Sequence, residues 1–190
     1  YLSGHARGEQ LEWDPARAAA ARTGRAELLP RLELMRCAAQ RASLVTGPCV
    51  RFEALRADAA AAEIAYANYL AGQLQPGQAD LLPQAQRNVA AAAQTAAPAA
   101  LAGIADPLSR LVAAGVLFQT GQASPAVITT AIETASAQGW RRPLLAWLGV
   151  QVQRADVVGD RAAAACCCRG VYFGVSKPSH AAENCSALRS

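Results

Sequence analysis

Apolar residues recur along this chain at the three- and four-residue spacing of α-helices, and they alternate with polar residues nowhere for long enough to indicate a strand. Three stripes show the spacing best: Leu28, Leu32, Met35 and Ala39; Phe52, Leu55, Ala59, Ala62, Tyr66 and Leu70; and Leu108, Leu111, Val112, Gly115 and Phe118. We expect each stripe to face a core. The pattern therefore predicts an all-α fold of antiparallel helical hairpins.

Helix ends are marked by prolines and glycines. Four turn residues precede a proline, a typical helix start, at Asp14-Pro15, Gly47-Pro48, Asp106-Pro107 and Ser124-Pro125. Glycines that would close helices are Gly47, Gly121, Gly139 and Gly159. The predicted helices span residues 15–22, 25–45, 49–73, 78–96, 107–119, 125–138, 142–157 and 160–172.

The segment 88–107 suggests a division of the chain. It is low in complexity, rich in alanine and interrupted by Pro98. We predict a helical hairpin region over residues 1–100 and a second set of hairpins with a C-terminal tail over residues 101–190. A single continuous domain is the alternative, because 190 residues suit either arrangement.

Residues 106–173 follow a repeated pattern of helix, glycine turn and helix. The turn glycines Gly121 and Gly159 are about 38 residues apart, a period typical of α-solenoids built from helix pairs. Ala114, Gly121 and Ala126 in the first unit, and Gly159 and Ala164 in the second, have the spacing of small residues in tetratricopeptide repeats. The residues Leu145–Gly149, "LAWLG", are similar to the start of that repeat.

This part of the chain thus resembles tetratricopeptide repeats over just over a third of its length. The resemblance implies a protein-binding scaffold whose inner helices line a concave groove. In such a groove Arg141, Arg142 and Arg154, with Trp140 beside them, would bind acidic or C-terminal groups of a partner. An ordinary helical bundle, with these arginines on a solvated face, is the alternative.

Six cysteines occur, at positions 37, 49, 166, 167, 168 and 185. Cys37 and Cys49 flank a natural turn between two helices, and we predict a disulfide there. A second bond from Cys185 to the 166–168 triplet, with Cys168 as its partner, would order the polar tail. Each closed loop is worth about 3 kcal/mol in the chain-entropy model.

Two alternatives to these disulfides remain. Adjacent helical residues point about 100° apart, so Cys166, Cys167 and Cys168 cannot all ligate one ion, and no CxxC pair is present. A metal site would need Cys166 or Cys168 together with His180 and Cys185. In the other alternative all six cysteines are reduced and packed as small hydrophobic residues.

The cysteines bear on location. Paired cysteines indicate the periplasm or the outside of a bacterial cell, whereas reduced cysteines indicate the cytoplasm. The bias toward alanine and arginine suits a GC-rich bacterial genome. No apolar stretch is long enough to span a membrane, and the start at Tyr1 is compatible with a removed signal peptide or lipid anchor.

Charge and motifs argue against several function classes. The net charge is +4, with Lys177 the only lysine, and the basic residues form no stripe interleaved with aromatics, so we expect no nucleic-acid binding. His5 and His180 are the only histidines, and GxSxG, GxGxxG and Walker A motifs are missing. We therefore predict no catalytic residues, no metal and no cofactor.

The sequence is most consistent with a non-enzymatic protein–protein interaction module. We expect an accessory or subunit protein of a bacterial envelope or extracellular assembly. One alternative is a structural subunit that self-assembles through alanine-rich helix faces into an oligomer or filament. A further alternative is a thiol-based metal or redox protein.

Overall fold

A computed structural model describes residues 1–4 and 6–159, and every regular element in these residues is helical. The α-helices are α1 (Ala6–Arg22), α2 (Leu28–Ala42), α3 (Val50–Glu53), α4 (Ala61–Leu70), α5 (Gln84–Ala91), α6 (Ala97–Ala102), α7 (Pro107–Gln119), α8 (Pro125–Ala137) and α9 (Arg141–Val158). Short 3-10 helices span Arg56–Asp58 and Ala79–Leu81. The all-α prediction is confirmed.

Helix α7 lies at the centre of the core. All residues from Leu111 to Leu117 are buried, and α2, α5 and α8 pack around the helix. Helix α9 packs in turn on α8, and its Trp147 is fully buried with its ring edge-on to Phe118. Of the predicted stripe on α7, Leu111, Val112 and Gly115 are buried, and Leu108 and Phe118 are partly buried against the core.

The two best-predicted helices begin as their sequences require. The Asp106 carboxylate accepts a hydrogen bond from the Ser109 backbone N–H at 2.7 Å, and the Ser124 hydroxyl accepts one from Val127. Each side chain satisfies one of the amides that a helix start leaves unpaired, and a proline follows each cap. The predicted spans 107–119 and 125–138 agree with α7 and α8 to within one residue.

The other two proline starts were wrong. Helix α1 begins at Ala6 and continues through Pro15, which is exposed, so that water can replace the backbone hydrogen bond that proline removes. Gly47-Pro48 lies in the loop between α2 and α3 and does not begin a helix.

Two long predicted helices are broken. The span 49–73 is divided because Ala59 and Ala60 are extended, and the Glu63 carboxylate accepts a hydrogen bond from the Ala60 N–H where α4 begins. The span 78–96 is divided because Pro83 forces Leu82 into an extended conformation. Pro98, expected to interrupt a helix, instead lies in the first turn of the short helix α6.

The stripe predicted to be the buried face of α2 is wrong. Met35 is 66% exposed, and Leu28, Leu32 and Ala39 are only partly buried. The buried face of α2 consists of Pro30, Glu33, Leu34, Cys37, Ala38, Arg41 and Ala42. Two charged residues on this face concealed its periodicity in the sequence.

One hydrophobic core runs through residues 34–147, and α2 packs directly on α7. The predicted boundary near residue 100 falls within α6. The division into two regions stays a prediction. The helix predicted over 160–172 lies outside the described residues.

Candidate functional site

Two of the predicted partner-binding residues, Arg141 and Arg142, lie beside the N-terminus of the chain. Trp140 precedes α9 and is partly buried against the core. The backbone N–H of Arg142 donates a hydrogen bond to the Leu2 carbonyl at 3.1 Å, and the Arg142 guanidinium lies 4.1 Å from the centroid of the Tyr1 ring. The N-terminal residues are therefore held over the first turn of α9.

Together these segments form a shallow depression, which we call the α9 patch, lined by Ser3, Gly4, Arg141, Arg142 and Leu145. Arg141 is exposed, and Leu145 is 48% exposed. None of these lining residues is acidic. The α9 patch therefore combines positive charge with an apolar surface.

Helix stability does not explain these arginines. The amino end of a helix carries a partial positive charge, so a cationic side chain there is unfavourable. Arg141 and Arg142 occupy the first two positions of α9. The helix end and both guanidinium groups therefore place positive charge at the α9 patch.

Arg154 does not belong to the α9 patch. It is exposed and lies about 18 Å along the helix axis from Arg142. The angular separation of the two residues is about 120° around α9. The structure thus places Arg141 and Arg142 in the α9 patch, Trp140 against the core just before them, and Arg154 on a separate part of the surface.

The predicted disulfide between Cys37 and Cys49 is present, with a Cα–Cα distance of 5.6 Å. It joins the buried face of α2 to the residue before α3. Both cysteines are buried, at 6% and 5% exposure. The bond closes the segment 37–49, and we call residues 43–49 of that segment the clamp loop.

The Arg41 side chain binds the clamp loop through hydrogen bonds to its backbone. Its two terminal guanidinium nitrogens donate hydrogen bonds to the carbonyls of Val45 at 2.7 Å and Gly47 at 2.6 Å. The residue is 1% exposed, and burial lowers the pKa of its guanidinium to about 10. This arginine is a structural group that binds backbone carbonyls.

Two side chains from distant elements complete this region. Gln119 at the end of α7 accepts a hydrogen bond from the Gly47 N–H and donates one to the Ala71 carbonyl. Trp147 donates its indole N–H to the Ala42 carbonyl at 3.1 Å. The clamp loop is thus tied to the centre of the fold as well as to α2.

Sequence reasoning identified neither Arg41 nor Gln119. One signal for Arg41 was available, since it follows Cys37 by four residues and so shares its helix face. An arginine four residues after a cysteine predicted to be bridged is a candidate for burial beside the bond. Nothing local marks Gln119, because both of its partners are distant in sequence.

A second groove lies between the end of α4, α5 and the end of α7. Tyr69, Leu74, Val89, Val116 and Leu117 are among its lining residues. Tyr69 is 3% exposed, and burial raises the pKa of its hydroxyl; burial raises that of Tyr66 to about 12. Both hydroxyls therefore stay neutral at physiological pH.

The residues on which the repeat resemblance depends differ in their burial and in their position within the helices and turns. Ala114 is buried in α7, and Gly121 has a positive φ of 72° in the turn before α8. Ala126 is exposed on α8. Gly159 has a φ of 76° after α9, and Ala164 lies outside the described residues.

The remaining thiol predictions also fall outside the described residues. These are the bond between Cys185 and Cys168 and the metal site that would use His180. Within residues 1–4 and 6–159, no group of three or more histidine, cysteine or acidic side chains is arranged to hold a metal ion. Over the same residues no helix has the length and apolar character that crossing a membrane requires.

Comparison with protein-family models, with curated protein sequences and with solved structures found no match.

Proposed function

We propose that this protein is a non-enzymatic interaction module of a bacterial envelope or extracellular assembly and that it binds an acidic segment of a partner protein. The α9 patch carries this proposal. It presents the exposed Arg141 and the half-exposed Leu145 beside a helix amino end. Carboxylates, including a chain's C-terminal carboxylate, are the natural ligands of such a surface.

The Cys37–Cys49 disulfide supports the proposed location. Disulfides persist in oxidising compartments such as the periplasm and are rare in the reducing cytosol. Both sulfurs are buried, so the bond is built into the fold and does not lie at its surface. The cytoplasm is the alternative location, and isolation of the native protein with its thiols blocked would decide between them.

A peptide-binding experiment tests the proposed site. The probe is a short fluorescein-labelled peptide of Glu and Asp with one Leu, ending in a free carboxylate, followed by fluorescence anisotropy at low salt. We expect saturable binding that weakens as salt increases and that Arg141→Glu weakens at least tenfold, because the substitution replaces attraction by repulsion.

The matched control is Arg51→Glu, which makes the same charge change at an exposed position on α3. We expect it to alter binding less than threefold. Equal loss in both variants would mean that only net charge matters. That outcome, or no binding to the wild-type protein, would refute the site.

Self-assembly is the second candidate function, and the outer surfaces of α1 and α2 favour it. Ala16, Ala18, Ala19 and Ala21 of α1 are exposed, as is Met35 on the outward stripe of α2. Sedimentation over a wide concentration range tests this candidate. A concentration-dependent increase in mass that Met35→Glu abolishes and Arg51→Glu preserves would support it.

A further inference from the structure

We propose that Arg41 selects Cys49 as the oxidation partner of Cys37 by fixing the clamp loop before the disulfide forms. Other partners are available to Cys37, because four further cysteines lie at positions 166, 167, 168 and 185. Six cysteines allow 15 pairings. Short sequence separation would favour Cys37–Cys49 in any chain. The fold adds a large further preference for the Cys37–Cys49 pairing.

The clamp loop is fixed by hydrogen bonds that do not depend on the sulfurs. Leu44 adopts a positive φ of 60° just after α2, and the Leu44 N–H donates to the Arg41 carbonyl at 3.0 Å. Two further carbonyls, of Val45 and Gly47, accept the Arg41 guanidinium N–H groups. One side chain thus sets the path of the loop on the way to Cys49.

Breaking these hydrogen bonds would be energetically costly for the buried Arg41 guanidinium. Among the described residues no carboxylate pairs with it, so the loop carbonyls are the groups that compensate its buried charge. A buried cation without such partners is very unfavourable. Opening the clamp loop would therefore also require Arg41 to move toward water.

Arg41 is itself fixed by α7. A methyl group placed on Gly115 would lie 3.0 Å from the Arg41 carbonyl carbon, so the two backbones are in close contact. Gln119, one turn further along α7, accepts the Gly47 N–H at 3.3 Å. The central helix thus supports both the arginine and the loop that it binds.

The consequence is a high effective concentration of one thiol near the other. With the loop in place the two Cα atoms are 5.6 Å apart, inside the range that a disulfide needs. Oxidation by glutathione disulfide passes through a mixed disulfide at one cysteine, which the second thiolate attacks. The cysteines together lose two electrons and two protons, and two reduced glutathiones leave.

The test measures the effective concentration of this pair in the full chain, from its equilibrium with reduced and oxidised glutathione and mass mapping of blocked peptides. In wild-type protein we expect the value to fall by at least tenfold in concentrated urea. Arg41→Met keeps the aliphatic stem and removes the donors. We expect about tenfold loss without urea, since two hydrogen bonds disappear, and new bonds from Cys37 or Cys49 to the C-terminal cysteines.

Arg51→Met is the control, an exposed arginine on α3 with the same chemical change, and should leave the value unchanged. A folded Arg41→Met variant with the wild-type effective concentration would overturn the proposal. If that variant loses its helical circular dichroism, Gln119→Met decides. Gln119→Met removes the hydrogen bond from the Gly47 N–H to Gln119, and we expect the effective concentration to fall about threefold. An unchanged effective concentration would equally overturn the proposal.

Discussion

Helices α1 and α7 are both rich in small and apolar residues, yet their surroundings are nearly opposite. In α7 every residue from Leu111 to Leu117 is buried. Between residues 11 and 22 of α1, only Trp13 and Ala20 are even partly buried. Alanine favours helix formation but removes little apolar area from water, whereas leucine and valine supply that area. Forming a helix and docking it are therefore separate matters in this protein.

Two contacts of charged side chains join α2 to residues 11–22 of α1. Arg36 of α2 lies over the Trp13 ring at 5.3 Å, and the Arg17 guanidinium lies 3.0 Å from the buried Glu33 carboxylate. Arg17 is about half exposed, so solvent weakens this ion pair. The contrast with α7 predicts that matched substitutions in the two helices will have very different effects.

The largest difference should come from leucine truncation. Leu111→Ala removes a fully buried side chain from α7 and should lower the free energy of unfolding by about 3 kcal/mol, because it leaves a cavity. Leu11→Ala in α1 removes a side chain that is 75% exposed and should change it by less than about 0.5 kcal/mol. Urea denaturation measures both. Similar losses would mean that α1 is docked as firmly as α7.

A pair of glycines sharpens the comparison at the α2–α7 contact. Gly115→Ala places a methyl group against the Arg41 backbone and should destabilise the protein by about 2 kcal/mol. Gly149→Ala on α9 meets no atom within 4 Å and should stabilise it, by up to about 1 kcal/mol, through helix propensity. Thermal unfolding of both variants gives the two signs. A neutral Gly115→Ala would show that α2 can move away from α7.

Alkaline pH should lower the free energy of unfolding, because Tyr66 of α4 is harder to ionise in the folded protein. The pKa of Tyr66 is raised to about 12 in the folded protein, so its stabilising effect is complete below the unfolded pKa, near 10, and is lost as pH rises toward 12. At pH 11 the loss from Tyr66 is about 1 kcal/mol. Denaturation at pH 9 and pH 11 measures it, and Tyr66→Phe should reduce the difference. An equal difference in that variant would assign the effect to other groups.

What the sequence could predict depends on how local each cause is. The bounds of α7 and α8 follow from caps at Asp106 and Ser124 that act within three residues. The buried face of α2 could not be read from periodicity, because it includes Glu33 and Arg41 while the exposed face carries Met35. Burial of those charges depends on partners elsewhere in the fold.

The candidate site shows the same limit. Arg141 and Arg142 were predicted to act together, and adjacency in sequence places both at the start of α9. The contacts of Arg142 with Tyr1 and Leu2 join residues about 140 positions apart and have no local signal in the sequence. Arg154 was grouped with them by residue type, but helical geometry places it elsewhere.

The smallest expected effects, those of alanine-to-glycine substitutions in α7 and α1, should distinguish helix propensity from helix packing most directly. Ala113 is fully buried in α7, and Ala19 is exposed in α1. Replacement by glycine costs about 1 kcal/mol of propensity in either helix. At Ala113 this cost, with the lost methyl contact, should appear in full in the free energy of global unfolding. At Ala19 the global loss should stay below about 0.5 kcal/mol, because residues 11–22 of α1 are mostly exposed and we expect α1 to open before the core unfolds. Hydrogen exchange would show the difference: Ala19→Gly should speed exchange within α1 alone, and a uniform effect would place both helices in one cooperative unit.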